Sequence, residues 1–343
     1  MEPGIRAERA ERVFHGGDCI VRILIIGGGG FVGRKLAGRL AELGTLRGAE
    51  IAELALADIA APDALDAPFP VTSHALDIAD REAVDAVIAG DWDVIYHLAA
   101  VVSAQAEADF VAGMRTNFFG TFNLFEACRG RVHTPVVVYA SSVASFSTDV
   151  PQPITDWTAT TPQTSYGTQK AIGELLLNDY SRRGFIDGRG VRLPTVVVRP
   201  GKPNAAASSF FSSIIREPLQ GDPAMCPVAT DQEVWLSSPR VTVENLVKVA
   251  ELDGDALGGI RNFSLPGMTI TVAAMLDALG EVAGENVLGL VDHERDPVIE
   301  KIVQGWSSRL ETDRAIELGL DRDEDFGRII RDFMETDMQP PKG

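Results

Sequence analysis

The chain has 343 residues, 45% hydrophobic and 23% charged, with a formal charge of −18. That length suits one large domain or two intimate ones with a sizeable core. The acidic balance excludes a nucleic acid or an anionic membrane surface as the expected partner, because both select basic patches.

Met1 to Cys19 alternate charge with Gly and Ala and lack the apolar stretch of a signal peptide. They read as a flexible N-terminal extension, or as a start codon placed too early. Strands are expected at Cys19–Ile26, Glu53–Asp58, Val71–Leu76, Val94–Leu98, Pro135–Ala140 and Thr195–Arg199. Helices are expected at Phe31–Leu43, Asp80–Ala89, Gln105–Arg129 and Ser165–Arg183. Repeated strand–helix alternation with nearly all-apolar strands is the pattern of a parallel sheet covered on both faces. Past Arg199 the pattern loosens into Pro-rich connections, short strands near Val234 and Phe263, and helices at Val243–Glu251, Thr271–Val282, Thr312–Leu318 and Asp325–Met334. This stretch reads as a smaller cap. No apolar run reaches the ~18–20 residues a membrane helix needs. Cys19, Cys128 and Cys226 are odd in number and contain no CxxC pair, so neither a disulfide framework nor a metal site is implied, and a cytoplasmic setting is expected.

Two constellations carry chemistry. Gly27-x-x-Gly30-x-x-Gly33 follows the first strand and opens a helix. The first glycine permits the tight turn, the second lets a pyrophosphate lie against the backbone, and the third lets helix and strand pack closely. Asp58 ends the second strand, where a carboxylate accepts both hydroxyls of an adenosine ribose. No base follows in Ile59-Ala60 to pair a 2′-phosphate, so NAD is expected over NADP, although Arg34 and Lys35 at the helix start weaken that preference. The second constellation is Tyr166-Gly-Thr-Gln-Lys170, whose ends share one helix face. A neighbouring ammonium favours the phenolate, so Tyr166 is expected to titrate below free tyrosine. Ser141 and Ser142 close the fifth strand 24 residues earlier, at the carboxyl edge where ligands of such sheets bind.

Together with Asp77-Ile78, "HLAA" at His97–Ala100, Asn117 in "NFFGT" and "RPG" at Arg199–Gly201, these motifs resemble the extended short-chain dehydrogenase/reductase family, which includes NAD-dependent epimerases and dehydratases. The resemblance implies an α/β fold: a Rossmann-type doubly wound parallel sheet over 20–201, with 202–343 mainly a smaller, substrate-binding C-terminal α/β cap that returns in part to the core domain. It also implies roles. Tyr166 is the general acid/base, Lys170 lowers its pKa and holds the nicotinamide ribose, and Ser142 orients the substrate oxygen. Asn117 supports a water beside the lysine. Gly27, Gly30, Phe31, Val32 and Gly33 hold the pyrophosphate, Asp77 and Ile78 flank adenine, Leu98, Ala99 and Ala100 line the ribose edge, and Pro200 meets the nicotinamide. Ser103, Ser142 and Tyr166 contact substrate. His97 reads as a structural strand-end histidine.

Departures from the family narrow the reaction. Val143-Ala144 follow Ser142, where the dehydratases carry an Asp-Glu pair for elimination. Phe146-Ser147 stand where many epimerases carry Tyr-Gly. Leu193–Leu219 and Ser237–Leu246 resemble a subgroup that oxidises the C2 hydroxyl of a four-carbon sugar acid with NAD. Erythronate or a close aldonate is therefore the expected substrate, with Ser208, Ser209, Ser212 and Ser213 as hydroxyl partners and Arg240 on the carboxylate. A sugar-nucleotide 4-epimerase and a non-catalytic NAD sensor are the alternatives. Phe118, Phe119, Phe122, Leu124 and Phe125 give the Gln105–Arg129 helix more apolar surface than one stripe requires, and a homodimer is expected.

Overall fold

The computed structural model describes residues 19–147, 149–201 and 208–338; the N-terminal extension up to residue 18 lies outside the described residues. Strand and helix alternate first as β1 (Ile20–Ile26), α1 (Phe31–Leu43), β2 (Thr45–Leu46), β3 (Ala49–Asp58), β4 (Val71–Ala75), α2 (Arg81–Ile88) and β5 (Val94–His97). A broken helical run follows: α3 (Ser103–Ala108), α4 (Phe110–Gly113), a π-helical segment (Met114–Gly120) and α5 (Thr121–Arg129). Then come β6 (Val136–Ser142), α6 (Ser165–Arg182), β7 (Asp187–Leu193) and β8 (Thr195–Val196). The last part holds α7 (Ser209–Leu219), β9 (Ala224–Cys226), β10 (Glu233–Ser237), α8 (Pro239–Glu251), α9 (Gly254–Leu257), β11 (Asn262–Ser264) and β12 (Met268–Thr271). It ends with α10 (Val272–Ala283), α11 (Glu285–Leu288), β13 (Val291–His293), α12 (Pro297–Gln304), α13 (Asp313–Glu317) and α14 (Phe326–Thr336).

The central sheet runs β11-β7-β6-β5-β1-β3, with β4 parallel to β3 and β2 folded back on β3 as an antiparallel hairpin. The chain winds outward from β1 to β4, then returns to β5 on the other side, so the strand order reverses at β1. Alternation along β1 sets the two faces. Ile23 and Ile25 pack with Leu36 and Leu40 of α1 and Leu246 of α8; Leu24 and Ile26 pack with Val84 of α2, Phe125 of α5 and Leu177 of α6. A second core, with Phe211 of α7, Met275 and Leu279 of α10 and Phe333 of α14, surrounds the small sheet β12-β10-β8.

Four expectations are corrected. The strand expected at Thr195–Arg199 is only Thr195–Val196, and it joins β10 in the small sheet; Asp187–Leu193 takes its place beside β6. The strand near Phe263, read with the cap, is β11 at the edge of the central sheet, and α8 covers that sheet's face. The single helix expected over Gln105–Arg129 is broken at Asp109, whose backbone leaves helical geometry and whose carboxylate caps α4 by accepting from the Ala112 N–H. Leu124 and Phe125 are fully buried in the core and cannot belong to an outward patch.

The turn after β1 depends on its glycines unequally. Gly27 sits at φ +92°, in the left-handed region, and a Cβ there would meet the Ala99 nitrogen at 2.6 Å. A Cβ on Gly33 would overlap the Gly27 carbonyl oxygen, whereas one on Gly30 meets only that oxygen, at 3.3 Å. Gly33→Ala is therefore expected to cost about 1–3 kcal/mol by overpacking α1 against the turn. Gly30→Ala costs less than about 1 kcal/mol, since its φ of −71° suits any residue. Thermal unfolding of the two variants checks the contrast; equal losses would contradict it.

Candidate active site

The reversal of strand order leaves a crevice at the carboxyl ends of β1 and β5. Leu98 and Ala99 N–H groups both donate to the Ile26 carbonyl, at 2.8 and 3.0 Å, drawing Leu98–Ala100 against the glycine turn. Helix α1 opens there with no side-chain cap and no acidic residue in its first turn. In contrast, α2, α6, α8, α10, α12 and α14 all start under a capping side chain. The bare first-turn N–H groups, the exposed Gly29 and Gly30, and the space over Gly30 form a ready anion seat. Half-buried Phe31 and Val32 begin the helix beneath it. At the end of β3, Asp58 accepts from the N–H groups of Gly29 (3.0 Å) and Ile59 (2.8 Å), which fixes its carboxylate beside the turn. The donor set, the open glycine and the placed carboxylate fit a dinucleotide.

Asp77 and Ile78 follow β4. The Asp77 carboxylate accepts from the Ala79 N–H at 2.9 Å and lies 3.5 Å from Arg115. Ile78 is buried beneath Gly120, so what it offers a ligand is backbone.

Ser142 ends β6, and its Oγ accepts from the Ala144 N–H at 3.1 Å. Tyr166 is the second residue of α6, which Thr164 caps through the Gly167 N–H at 3.1 Å. A Cβ on Gly167 would overlap the Ala144 carbonyl, so glycine lets α6 approach the turn after Ser142 and brings phenol and serine hydroxyl together. One turn on, Lys170 is 2% exposed. Its Nζ donates to the Ala140 carbonyl at 2.7 Å and lies 5.7 Å from the Tyr166 ring centroid.

The electrostatics differ from the expectation. Burial pushes the Tyr166 phenol up to about 12, and the Ser142 hydrogen bond offsets only part of that. Burial also brings Lys170 down to about 7, opposed by the Glu174 carboxylate. The protein's own groups therefore do not lower the tyrosine: desolvation of the phenolate outweighs the Ser142 hydrogen bond, and the Lys170 ammonium is itself desolvated and bonded to a strand carbonyl. His97 is neutral, brought down to about 3 by burial and then by Lys170; its Nε2 bonds the Thr121 hydroxyl at 2.9 Å, as a structural residue would.

Asn117 stands in the π-helical segment and joins two elements. Its Oδ1 accepts from the Val101 N–H (2.8 Å), and its Nδ2 donates to the Val101 carbonyl (2.9 Å) and to Gln169 Oε1 (2.7 Å). It ties the stretch after β5 to α6 beside Lys170. Glu174, one turn beyond Lys170, was not singled out in the sequence. It accepts from Ser141 Oγ at 2.5 Å and from Arg192 of β7 at 2.7–3.1 Å, all buried. The Arg192 guanidinium also lies 4.7 Å over the Phe146 ring. The i+4 step from lysine to glutamate was the available signal.

A cavity of about 410 Å³ opens over Ser142 and Tyr166. Val32 of α1 and Ser103 of α3 line one side, Arg199 and Ser208 another wall, and Trp235 and Trp306 a third. Pro200 is half-buried next to Arg199. The expected carboxylate partner, Arg240, is not in this cavity. Its Nε pairs with Asp332 at 2.7 Å on the half-exposed start of α8. Ser212 and Ser213 are also committed, to the Arg199 N–H and the Ser209 carbonyl. Among the described residues no cluster of metal-ligating side chains occurs, and no helix is long and apolar enough to cross a membrane.

Known proteins are similar to this chain over nearly its whole length. The chain is 49% identical to a D-erythronate dehydrogenase of Cupriavidus necator, over 92% of this chain and 98% of that protein. A D-erythronate dehydrogenase of Haemophilus influenzae is 42% identical over 93% and 100%. A solved structure from Agrobacterium tumefaciens, described as a nucleoside-diphosphate-sugar epimerase, superposes with a TM-score of 0.90 at 43% identity, covering 95% of this chain and 97% of that one. The NAD dependent epimerase/dehydratase family pattern spans residues 23–237, through the glycine turn, the Ser142–Tyr166–Lys170 set and the cavity wall at Trp235, and this chain belongs to that family.

Proposed function

We propose that the chain is an NAD-dependent D-erythronate dehydrogenase, oxidising the C2 hydroxyl to the 2-oxo acid. The observation that carries it is a Ser142–Tyr166–Lys170 set lining a cavity of about 410 Å³, in a chain nearly half identical over its length to a D-erythronate dehydrogenase. That volume must admit a nicotinamide as well as substrate, which favours a small acid over a sugar nucleotide. The Agrobacterium description is what speaks for an epimerase. A non-catalytic sensor would have no need of the intact serine, tyrosine and lysine.

NAD, when bound, supplies the acceptor for the hydride that leaves C2. Tyr166 as phenolate takes the hydroxyl proton, Ser142 donates a hydrogen bond to the same oxygen, and Lys170 supplies positive charge beneath the phenol. The choice of NAD rests on Asp58 and, among the described residues, on the engagement of the two bases that open α1. Arg34 is bonded to the Asp63 carbonyl at 2.6 Å, and Lys35 is paired with Asp337 at 2.8 Å.

The purified protein should reduce added NAD with D-erythronate and strongly disfavour NADP, whose 2′-phosphate would meet Asp58. Comparable kcat/KM for the two cofactors would defeat the cofactor assignment. Full activity on a UDP-hexose without added NAD would make the chain an epimerase.

Tyr166→Phe removes one hydroxyl and should lower kcat by about 10²–10⁴ while NADH binding is kept. Oxidation needs the deprotonated phenol, which burial holds up at about 12. kcat/KM for oxidation should therefore climb as pH rises toward that value, and reduction of the 2-oxo acid, which needs the phenol protonated, should fall. Near-normal turnover in a folded Tyr166→Phe protein would place the chemistry elsewhere.

We propose also that two copies associate about a two-fold axis. Phe110, Val111, Phe119 and Phe122 on the broken helical run and Leu175 on neighbouring α6 leave large apolar side chains exposed. Light scattering at micromolar concentration should give the dimer mass, and Leu175→Glu with Phe119→Glu should give the monomer; a wild-type monomer contradicts the proposal.

A further inference from the structure

Among the described residues the fully buried arginines come with carboxylates. Arg189 pairs with Asp187 at 2.7 Å, Arg192 with Glu174 at 2.7 Å and Arg216 with Glu217 at 2.6 Å. Arg199 has no described carboxylate beside it, and neither have half-buried Arg47 and Arg314; but the guanidinium groups of Arg47 and Arg314 are spent on backbone carbonyls, whereas Arg199 lines the cavity. It is half-buried in the cavity wall, and among the described residues no carboxylate lies within ion-pair distance of it. Its Nη2 donates to the Ser208 hydroxyl at 3.1 Å, and its backbone N–H and carbonyl are held by Ser212 Oγ and by Arg216 Nη1 at 3.1 and 2.6 Å. The position is therefore fixed while the charge is left uncompensated. Burial and the neighbouring Arg216 both push its pKa down, as for a cation without a counter-ion.

The acidic groups of the same cavity are already engaged. Glu233 binds Arg309 at 2.9 Å and Ser308 at 3.0 Å, and Glu107 accepts from the Ser165 N–H at 2.9 Å. Among the described lining residues Arg199 is the one cation. A guanidinium in a concave, partly dry site calls for a planar anion that takes two of its N–H groups. A single cation matches one carboxylate better than a diphosphate, which needs several donors.

We propose that Arg199, with the Ser208 hydroxyl bonded to it, is the subsite for the substrate carboxylate, and that it selects short hydroxy acids over neutral polyols and sugar nucleotides. This deepens the dehydrogenase reading and rests on it for the identity of the acid. It also replaces Arg240, which is spent on Asp332 outside the cavity.

The test is binding without turnover. D-erythronate is titrated calorimetrically into NADH-loaded protein, in which both partners are reduced and no hydride can move. Arg199→Gln should weaken erythronate binding about 10- to 100-fold, as expected for loss of a charge-assisted hydrogen-bond pair, and Arg199→Lys should restore part of it. NADH affinity should be unchanged, which also reports that the variant is folded. Erythritol, with a hydroxymethyl group in place of the carboxylate, should bind wild type and Arg199→Gln equally weakly. Should Arg199→Gln fail to fold, Arg199→Lys and Ser208→Ala are read for the same loss.

Undiminished erythronate binding in the variants, or a loss confined to NADH, overturns the subsite. So does a wild type that binds neither erythronate nor any three- to six-carbon aldonate. A protein that binds erythronate through Arg199 without oxidising it loses the proposed function and keeps the subsite. One that oxidises it with Arg199→Gln binding unimpaired keeps the function and loses the subsite.

Discussion

An ammonium group taken out of water under a tyrosine is the constraint around which this fold is arranged. Lys170 has almost no solvent, and desolvation alone would discharge it. Two features oppose that: the Ala140 carbonyl at 2.7 Å and the Glu174 carboxylate one turn along the same helix. Glu174 is in turn held by Arg192 and Ser141, so α6, β6 and β7 are locked in a single register by one buried network. Removing one member of such a pair costs about 3–5 kcal/mol, because the other charge is left buried and alone. The same network fixes the end of β6, and Ser142 is the next residue along. Catalytic geometry and packing at this point are the same set of bonds.

The cofactor half of the site follows from a different economy. Reversal of strand order at β1 opens the crevice, and the glycine turn fills it with backbone donors that carry no side-chain cap. Gly33 and Gly27 are needed by the protein's own packing, whereas little in the protein requires Gly30 to lack a side chain. The substrate half has another origin. Arg199, Ser208, Trp235 and Trp306 come from the segments after β7, so the later chain folds the cavity's far walls over the end of β6 and the start of α6.

How much of this could be read in the sequence depended on the range of the interactions involved. β1, the glycine turn, Asp58, and Tyr166 with Lys170 are legible because adjacent or i+4 residues do the work. β7 was not: "DGRGVRL" carries two glycines and three charges, the composition of a loop. It is a strand because Gly188 and Gly190 pack tightly against Ser181, Leu177 and Asn262, and because Arg192 finds the buried Glu174 carboxylate. Glu174 and Asn262 are distant in the chain and leave no local pattern. Arg240 and Arg199 fail in the same way. Nothing near either residue tells which guanidinium Asp332 will claim and which will be left facing the cavity. The break at Asp109 was nearer to hand, since aspartate favours helix starts over helix interiors.

The net charge of −18 makes the placement of these few donors consequential. Both the substrate class proposed here and a dinucleotide are anions, and the field of the whole chain repels them. That field is screened over roughly 8 Å at physiological ionic strength, so it acts on approach more than at contact. Inside the crevice the balance is set locally. The bare start of α1 presents fixed N–H dipoles, and Arg199 presents a charge that no described carboxylate neutralises. Had Asp332 or another carboxylate paired with Arg199 as one does with Arg189, Arg192 and Arg216, the cavity would share the acidity of the surface and hold a neutral polyol as well as an acid. Discrimination between the two follows from leaving one cavity-lining arginine without a carboxylate partner.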